Sequence, residues 1–353
     1  MPTTDCRAAP PETRSDRRAD LAVVAWTDQQ REVLDSAGAL LGAMWPEMGA
    51  EDMGDWLDEL LDEQFLGTVL GKKHLVVPGD PDRFAGLLSW ADLERLLSYH
   101  ELRTPRLRVV REGEYLPPAS YLTTYTVRRG RTRTTVDTAR LWESLSTGYT
   151  LALRQADELH PPLSALAARY ERVLGRGFEL NVYASMRPRE GFGPHWDEHD
   201  VFVHQLAGAK RWRILPRTAH SLMPRDQPPD DAPETVLDEV TLTAGDLLYL
   251  PRGFWHAPVA CPSTPSLHLT GSVPAVTGAD LAAWLLDQCR PAAAMCADVP
   301  RFADPATQRA YLTLLRDQLC TGLTEPAQLD RFLAERDAAH APRPRAGFLA
   351  GEG

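Results

Sequence analysis

The chain has 353 residues, enough for about two domains or one large domain with an appendage. Apolar residues make up 43% and charged residues 25%, which fits a globular protein and excludes pervasive disorder, a collagen and a long coiled coil. The formal charge of −11 argues against a general nucleic-acid binder and suits a cationic partner.

No window approaches 18 consecutive apolar residues, so no membrane-spanning helix is expected. Residues 1–20 are polar and rich in Pro, Arg and Asp, so they are expected to be mobile and not a secretory leader. The cysteines (Cys6, Cys261, Cys289, Cys296, Cys320) are scattered and form no C-x-x-C pair. Free thiols in a reducing cytoplasm are the expectation, and a thiolate zinc site is not.

In chain order, residues 28–44 read as a helix, and a second helical pattern runs from Asp55 to Val69. KKHLVVPGD is a short apolar run closed by a Pro-Gly turn. Ser89 is placed to cap WADLERLLSY, with Asp92 as the reciprocal acid of a capping box. RLRVVREGEYLPP alternates and stops at paired prolines, as a strand would. Arg128, Arg129, Arg131 and Arg133 then read as a solvated loop or edge strand. Pro161 to Gly175 has Pro in its first turn and Gly at its end, the signature of a helix.

From 178 to 276 the pattern changes to short strands: FELNVYASM, DVFVHQL, KRWRILP, TVLDEVTL, DLLYLP and SLHLTGSV. Gly, Pro and Asp separate them, which predicts an antiparallel barrel or sandwich. DVFVHQL-AGA-KRWRILP reads as a hairpin with a small-residue turn. After Thr277, helical patterns return in ADLAAWLLDQC, ATQRAYLTLLRDQLC and PAQLDRFLAERDAA. Cys289 and Cys296 would lie two turns apart on one helical face. The tail 341–353 is expected to be loose.

The chemistry concentrates in GFGPHWDEHDVFVHQLAGAKRWRILP, residues 191–216. On an extended segment His195 and Asp197 point the same way and could take adjacent positions on a metal. Among ten histidines such a pair is common by chance. GDLLYLPRGFWHAP, residues 245–258, adds His256 at a strand start behind a rigid turn. Two imidazoles and one carboxylate would leave three positions open, as in non-haem Fe(II) oxygenases. Lys210, Trp212 and Ile214 share one strand face. A lysine on a barrel interior needs an anionic partner. In SLHLTGSV, Ser266, His268, Thr270 and Ser272 face opposite to Leu267, Leu269 and Gly271, so a polar row would look into the barrel. Thr270 is the chosen ligand contact and Ser272 its rival. Asn181 and Tyr183 could complete the pocket. His199 reads as a solvated turn residue, His204 as a core histidine, and His268 as either pocket wall or buried hydrogen-bonding histidine. Trp196, Trp212, Phe254 and Trp255 read as core and pocket wall.

The G-x5-P-x-G-x2-H spacing of residues 245–256 resembles the second motif of the cupin superfamily. Together, PHWDEHDVFVHQLAGAKRW and GDLLYLPRGFWH are similar to the JmjC-type ribosomal oxygenases, cupin-type protein hydroxylases. GKKHLVVPGDPDRFAGLLSWADLERLL extends the likeness, which runs from about Asp55 to about Val276. The resemblance implies a mainly β fold with α: a double-stranded β-helix (cupin or jelly-roll) core, with N-terminal helices and a C-terminal helical dimerisation region. It implies Fe(II), 2-oxoglutarate as cosubstrate and O2, with decarboxylation to succinate coupled to hydroxylation of a C–H bond. By resemblance His195, Asp197 and His256 match the iron ligands, Lys210 matches the partner of the distal 2-oxoglutarate carboxylate, and Asn181 matches a position near the iron. The family continues into a dimerisation region and a winged helix. About 75 residues follow Thr277 here, little room for the latter, so substrate recognition is expected to differ.

The expected organisation is a segment 1–45, a JmjC/cupin catalytic domain 46–277, a helical region 278–340 and the tail. The expected protein is a cytoplasmic homodimer that hydroxylates a side chain of a peptide or protein, such as a ribosomal protein or a biosynthetic peptide, with no nucleic acid bound directly and no membrane. The rival readings are an N-methyl demethylase of the same chemistry, a metal cupin independent of 2-oxoglutarate acting on a small molecule, and a non-catalytic cupin module.

Overall fold

The computed structural model describes residues 56–127, 130–218, 231–262, 264–325 and 327–339. The helix expected over 28–44, with Cys6, Arg128 and Arg129, lies outside them. The pattern from Asp55 to Val69 is two helices and not one, α1 (Trp56–Leu60) and α2 (Glu63–Thr68). Asp62 makes the break, because its carboxylate accepts the Phe65 N–H at 2.7 Å and caps the second helix. Strand β1 (Leu75–Val77) follows, then α3 (Trp90–Tyr99) with the expected capping box. Asp92 N–H donates to Ser89 Oγ at 3.1 Å, and Ser89 N–H to the Asp92 carboxylate at 3.0 Å.

RLRVVREGEYLPP is a tight hairpin and not one strand, β2 (Leu107–Arg111) and β3 (Glu114–Tyr115). The chain reverses at Glu112 and Gly113, both at positive φ. The hairpin β4 (Leu122–Thr126) and β5 (Thr132–Val136) leaves Arg131 and Arg133 exposed. Then come α4 (Thr138–Ser146), β6 (Thr150–Leu153) and α5 (Pro161–Leu174), which Gly175 ends at φ 60.

The barrel is built from β7 (Glu179–Ser185), β8 (Asp200–Ala207), β9 (Ala209–Arg217), β10 (Asp238–Thr243), β11 (Leu247–Leu250), β12 (Phe254–Ala260) and β13 (Ser266–Val273). They divide between two antiparallel sheets. The larger has the order β1-β11-β8-β13-β7-β6-β2-β3 and the smaller β10-β9-β12. In the larger sheet, strands distant in sequence lie side by side, so the chain crosses repeatedly from one sheet to the other. That is the jelly-roll arrangement of a double-stranded β-helix.

The crossing corrects one reading. β8 and β9 are not a hairpin: β8 pairs with β11 and β13, whereas β9 pairs with β10 and β12. The small-residue turn steps between sheets at Gly208, φ 66, where a Cβ would lie 1.8 Å from the Pro265 carbonyl oxygen.

Two apolar clusters follow from strand alternation. Phe202, Leu267, Leu269, Leu180 and Val182 face outward and pack with α1, α3 and α5. Val201, Val203, Trp212, Ile214, Leu242 and Leu248 pack between the two sheets. The opposite faces of β7 and β13 are thereby left for polar side chains inside the barrel, and on β9 Lys210 shares the inward face with Trp212 and Ile214.

Beyond the barrel lie α6 (Gly278–Cys289), α7 (Ala293–Cys296), α8 (Pro305–Thr324) and α9 (Ala327–Ala339). Cys289 and Cys296 fall on separate helices, since the chain breaks around Pro291, so they do not share a helical face. Leu285 and Phe332 are buried among these helices, with Trp284 against Phe332 at 5.7 Å. No helix among the described residues is long and apolar enough to cross a membrane.

Candidate metal and cosubstrate site

Inside the barrel is a cavity of about 590 Å³. His195 and Asp197 reach it from the segment that leads into β8, and His256 from the third position of β12. The two histidines are antiparallel neighbours. His195 N–H donates to the His256 carbonyl at 3.1 Å, and His256 N–H to the His195 carbonyl at 2.8 Å. Side chains of such a pair stand side by side, and the ring centroids are 4.3 Å apart. His256 Nε2 is 3.6 Å from an Asp197 carboxylate oxygen. One donor atom from each of the three lies within 4.8 Å of the others.

Hydrogen bonding fixes the tautomers. His195 Nδ1 faces the Gly193 carbonyl at 2.8 Å, and His256 Nδ1 faces the Phe254 carbonyl at 3.0 Å. A carbonyl can only accept, so each Nδ1 carries the proton and each Nε2 offers a lone pair. Burial, and then the neighbouring His195, hold His256 well below its ordinary pKa and so in the neutral form. Two imidazole lone pairs and a carboxylate converging in a buried pocket are what a divalent cation with nitrogen and oxygen preference takes. The donor set therefore fits such an ion.

Lys210, on β9, is 4% exposed and lines the same cavity. No carboxylate among the described residues pairs with it, and burial lowers its pKa from 10.5 to about 7. Thr270 and Asn181 are direct cross-strand partners on β13 and β7, as are His268 and Tyr183 one step along. All four line the cavity, and so does Ser272. Asn181 Oδ1 accepts the Gln155 N–H at 3.0 Å, which leaves its two amide N–H groups as the available donors. His268 stacks on Tyr183 at 5.1 Å, and its buried Nδ1 has no hydrogen-bond partner. Burial, and then Lys210, keep its pKa well below 6.5. Burial, and then Asp197, push the Tyr183 phenol up.

His204 is a core histidine, 2.9 Å from the Tyr170 hydroxyl. Trp212 forms cavity wall 5.8 Å from His256, and Trp255 is core. His199 is not in a solvated turn: it lines the cavity, with its Nδ1 buried and unpartnered. Its loop turns inward because Asp200, the next residue, is itself buried. Sequence reasoning missed Phe192, Arg108 and Arg154, which also line the cavity. Phe192 is 6.0 Å from both Tyr183 and His195. Its place between Gly191 and Gly193 was the available signal. Arg154 pairs with Glu179 at 3.6 Å.

Residues 159–281 match the JmjC domain. Over 203 residues the chain is 32% identical to ribosomal oxygenase 1 of Gallus gallus, covering 56% of this chain and 32% of that protein. Over 218 residues it is 28% identical to the bifunctional lysine-specific demethylase and histidyl-hydroxylase NO66 of Dictyostelium discoideum, covering 60% of this chain and 40% of that protein. The chain thus spans about a third of the first curated relative and two-fifths of the second. Among solved structures, the ribosomal oxygenase YcfD of Escherichia coli with cobalt and 2-oxoglutarate superposes with a TM-score of 0.49 at 20% identity, covering 80% of this chain and 71% of that one.

Proposed function

We propose that this chain, whose residues 159–281 form a JmjC domain, is an Fe(II)/2-oxoglutarate-dependent oxygenase that hydroxylates a side chain of a peptide or protein. One observation carries the proposal: the His195, Asp197 and His256 donor trio shares a cavity with an unpaired, buried Lys210. The trio would hold the metal. Fe(II) there would supply the activation of O2 that couples decarboxylation of 2-oxoglutarate to C–H hydroxylation.

The chain's own residues do the rest. Lys210 would bind the distal carboxylate of 2-oxoglutarate, so that the dianion provides the charge the barrel interior lacks. Thr270 and the Asn181 amide would orient it by donating hydrogen bonds, with Ser272 beside them. The Nδ1–H bonds to Gly193 and Phe254 hold both imidazoles in the ligating tautomer. The apolar wall of Trp212 and Phe192 would keep water from the reacting face.

Relatives with ribosomal oxygenase and histidyl-hydroxylase names support a protein substrate, and the charge of −11 suits a basic one. The demethylase in the NO66 name keeps N-methyl hydroxylation as a second reading, which formaldehyde release would reveal. Residues 46–277 would form the catalytic domain, with 1–45 before it and 341–353 as a tail. Residues 278–340 would pair two copies, supported by exposed Leu312, Leu314, Leu323 and Leu329 on α8 and α9. The four free cysteines among the described residues favour the reducing cytoplasm.

The test is succinate formation, followed by NMR, from protein with Fe(II), ascorbate, O2 and 2-oxoglutarate. Succinate that disappears in His256→Ala is the expected result. Absence of both succinate and 2-oxoglutarate binding would refute the reading in favour of a cupin independent of 2-oxoglutarate.

A further inference from the structure

The metal donors come from two segments separated by four strands, and something must fix the distance between them. Part of the answer is the backbone pair of His195 and His256. A second tie lies behind the donors. Asp200, the first residue of β8, is 6% exposed, and no cation pairs with it among the described residues. A carboxylate in that setting is costly unless its lone pairs are filled.

Both of its oxygens are filled from β11 and the turn that follows it. Oδ1 accepts the Arg252 N–H at 2.8 Å, and Oδ2 accepts the Tyr249 hydroxyl at 2.9 Å. The Tyr249 oxygen is in turn held by the Gly71 N–H at 2.7 Å. The same turn reaches back to the donors, because Gly253 N–H donates to the Asp197 carbonyl at 2.8 Å. Gly253 adopts φ 81, so the turn depends on these bonds and on glycine to keep its shape. Asp200, three residues after Asp197, thus clamps the turn at Arg252, four residues before His256.

We propose that Asp200 is a positioning residue for the metal trio, setting the separation of Asp197 and His256 through the Tyr249–Gly253 turn. The inference rests on the oxygenase reading above. Removing a partner bonded directly to a metal ligand weakens binding by about ten- to a hundredfold, and Asp200 acts one step further out, through the turn.

The test titrates full-length, metal-free protein with Mn(II), reading free Mn(II) by EPR, and with Co(II), reading its visible absorption. Asp200→Ala should weaken Mn(II) binding about three- to tenfold and alter the Co(II) bands. Asp200→Asn keeps one acceptor and should lose less. Tyr249→Phe removes one of the two bonds and should lose a few-fold. Leu153→Ala, in the core behind the larger sheet, should lower the melting temperature without moving metal affinity. Wild-type affinity in folded Asp200→Ala would overturn the inference, as would an equal loss in Leu153→Ala. If Asp200→Ala does not fold, Asp200→Asn and Tyr249→Phe decide, and wild-type affinity in both would overturn it. Wild-type protein that binds neither ion would overturn the oxygenase reading and this inference with it.

Discussion

Replacing Lys210 by Met should make the empty protein more stable while removing its capacity for 2-oxoglutarate. Burial lowers the lysine from 10.5 to about 7. The drop of 3.5 pH units corresponds to about 5 kcal/mol of unfavourable free energy for keeping the ammonium in the fold, at about 1.4 kcal/mol per unit. The head group faces a cavity that water can enter, so the realised penalty is smaller, about 2–4 kcal/mol. Its sign with pH is fixed. Below pH 7 both folded and unfolded chains hold the proton, and the whole penalty is present. Between about 7 and 10.5 the unfolded chain binds more protons than the folded one, so stability rises with pH. Lys210→Met keeps the aliphatic stem and has no such dependence. Urea unfolding of metal-free protein at pH 6 and pH 9.5 should therefore show the variant ahead by about 2–4 kcal/mol at pH 6, shrinking by most of that at pH 9.5. With 2-oxoglutarate added, the proposed role of Lys210 predicts the reverse order, because the ligand would stabilise only the wild type. A variant less stable than wild type at pH 6, or a gap independent of pH, would refute the reasoning.

Other outcomes follow from the same geometry. Under the proposed function a charged Lys210 would hold the dicarboxylate, so 2-oxoglutarate affinity measured by calorimetry should fall up to about tenfold per pH unit above pH 7 in wild type, with proton uptake on binding. Saturating Mn(II) should raise the melting temperature, EDTA should reverse it, and Asp197→Ala should abolish the shift. Tyr170→Phe leaves buried His204 without its hydroxyl partner and should cost about 1–3 kcal/mol in chemical unfolding. Gly208→Ala places a methyl group 1.8 Å from the Pro265 carbonyl at a positive φ, and should cost about 3 kcal/mol or more or prevent folding.

The strands and their faces were legible because alternation is local. Leu267 and Leu269 turn out and His268 and Thr270 turn in, as the pattern in SLHLTGSV requires. The sheet to which each strand belongs was not legible. β8, a short turn and β9 carry every mark of a hairpin, and only the distant claims of β11 and β13 on both edges of β8 separate them. The break at Asp62 needed a choice between helix continuation and capping that periodicity does not weigh. The polar run DEHD looked solvated around His199, and the burial of Asp200 that turns it inward depends on a tyrosine 49 residues away. Spacing brought His195, Asp197, His256 and Lys210 under suspicion. It could not show that Asn181 has its carbonyl oxygen committed to Gln155, or that Phe192 and two arginines share the cavity.

The backbone pair between His195 and His256 has a topological consequence. Strands β8 to β11 lie in the chain between the two residues, so the pair sits at the neck of a loop holding much of the barrel. A metal bridging the two side chains would act as a clasp on that neck, closing the loop as a crosslink does and narrowing the unfolded ensemble that still holds the ion. Assembly of the donors and closure of the barrel are then one event. A chain that has not placed the four strands between the donors has no complete site to fill.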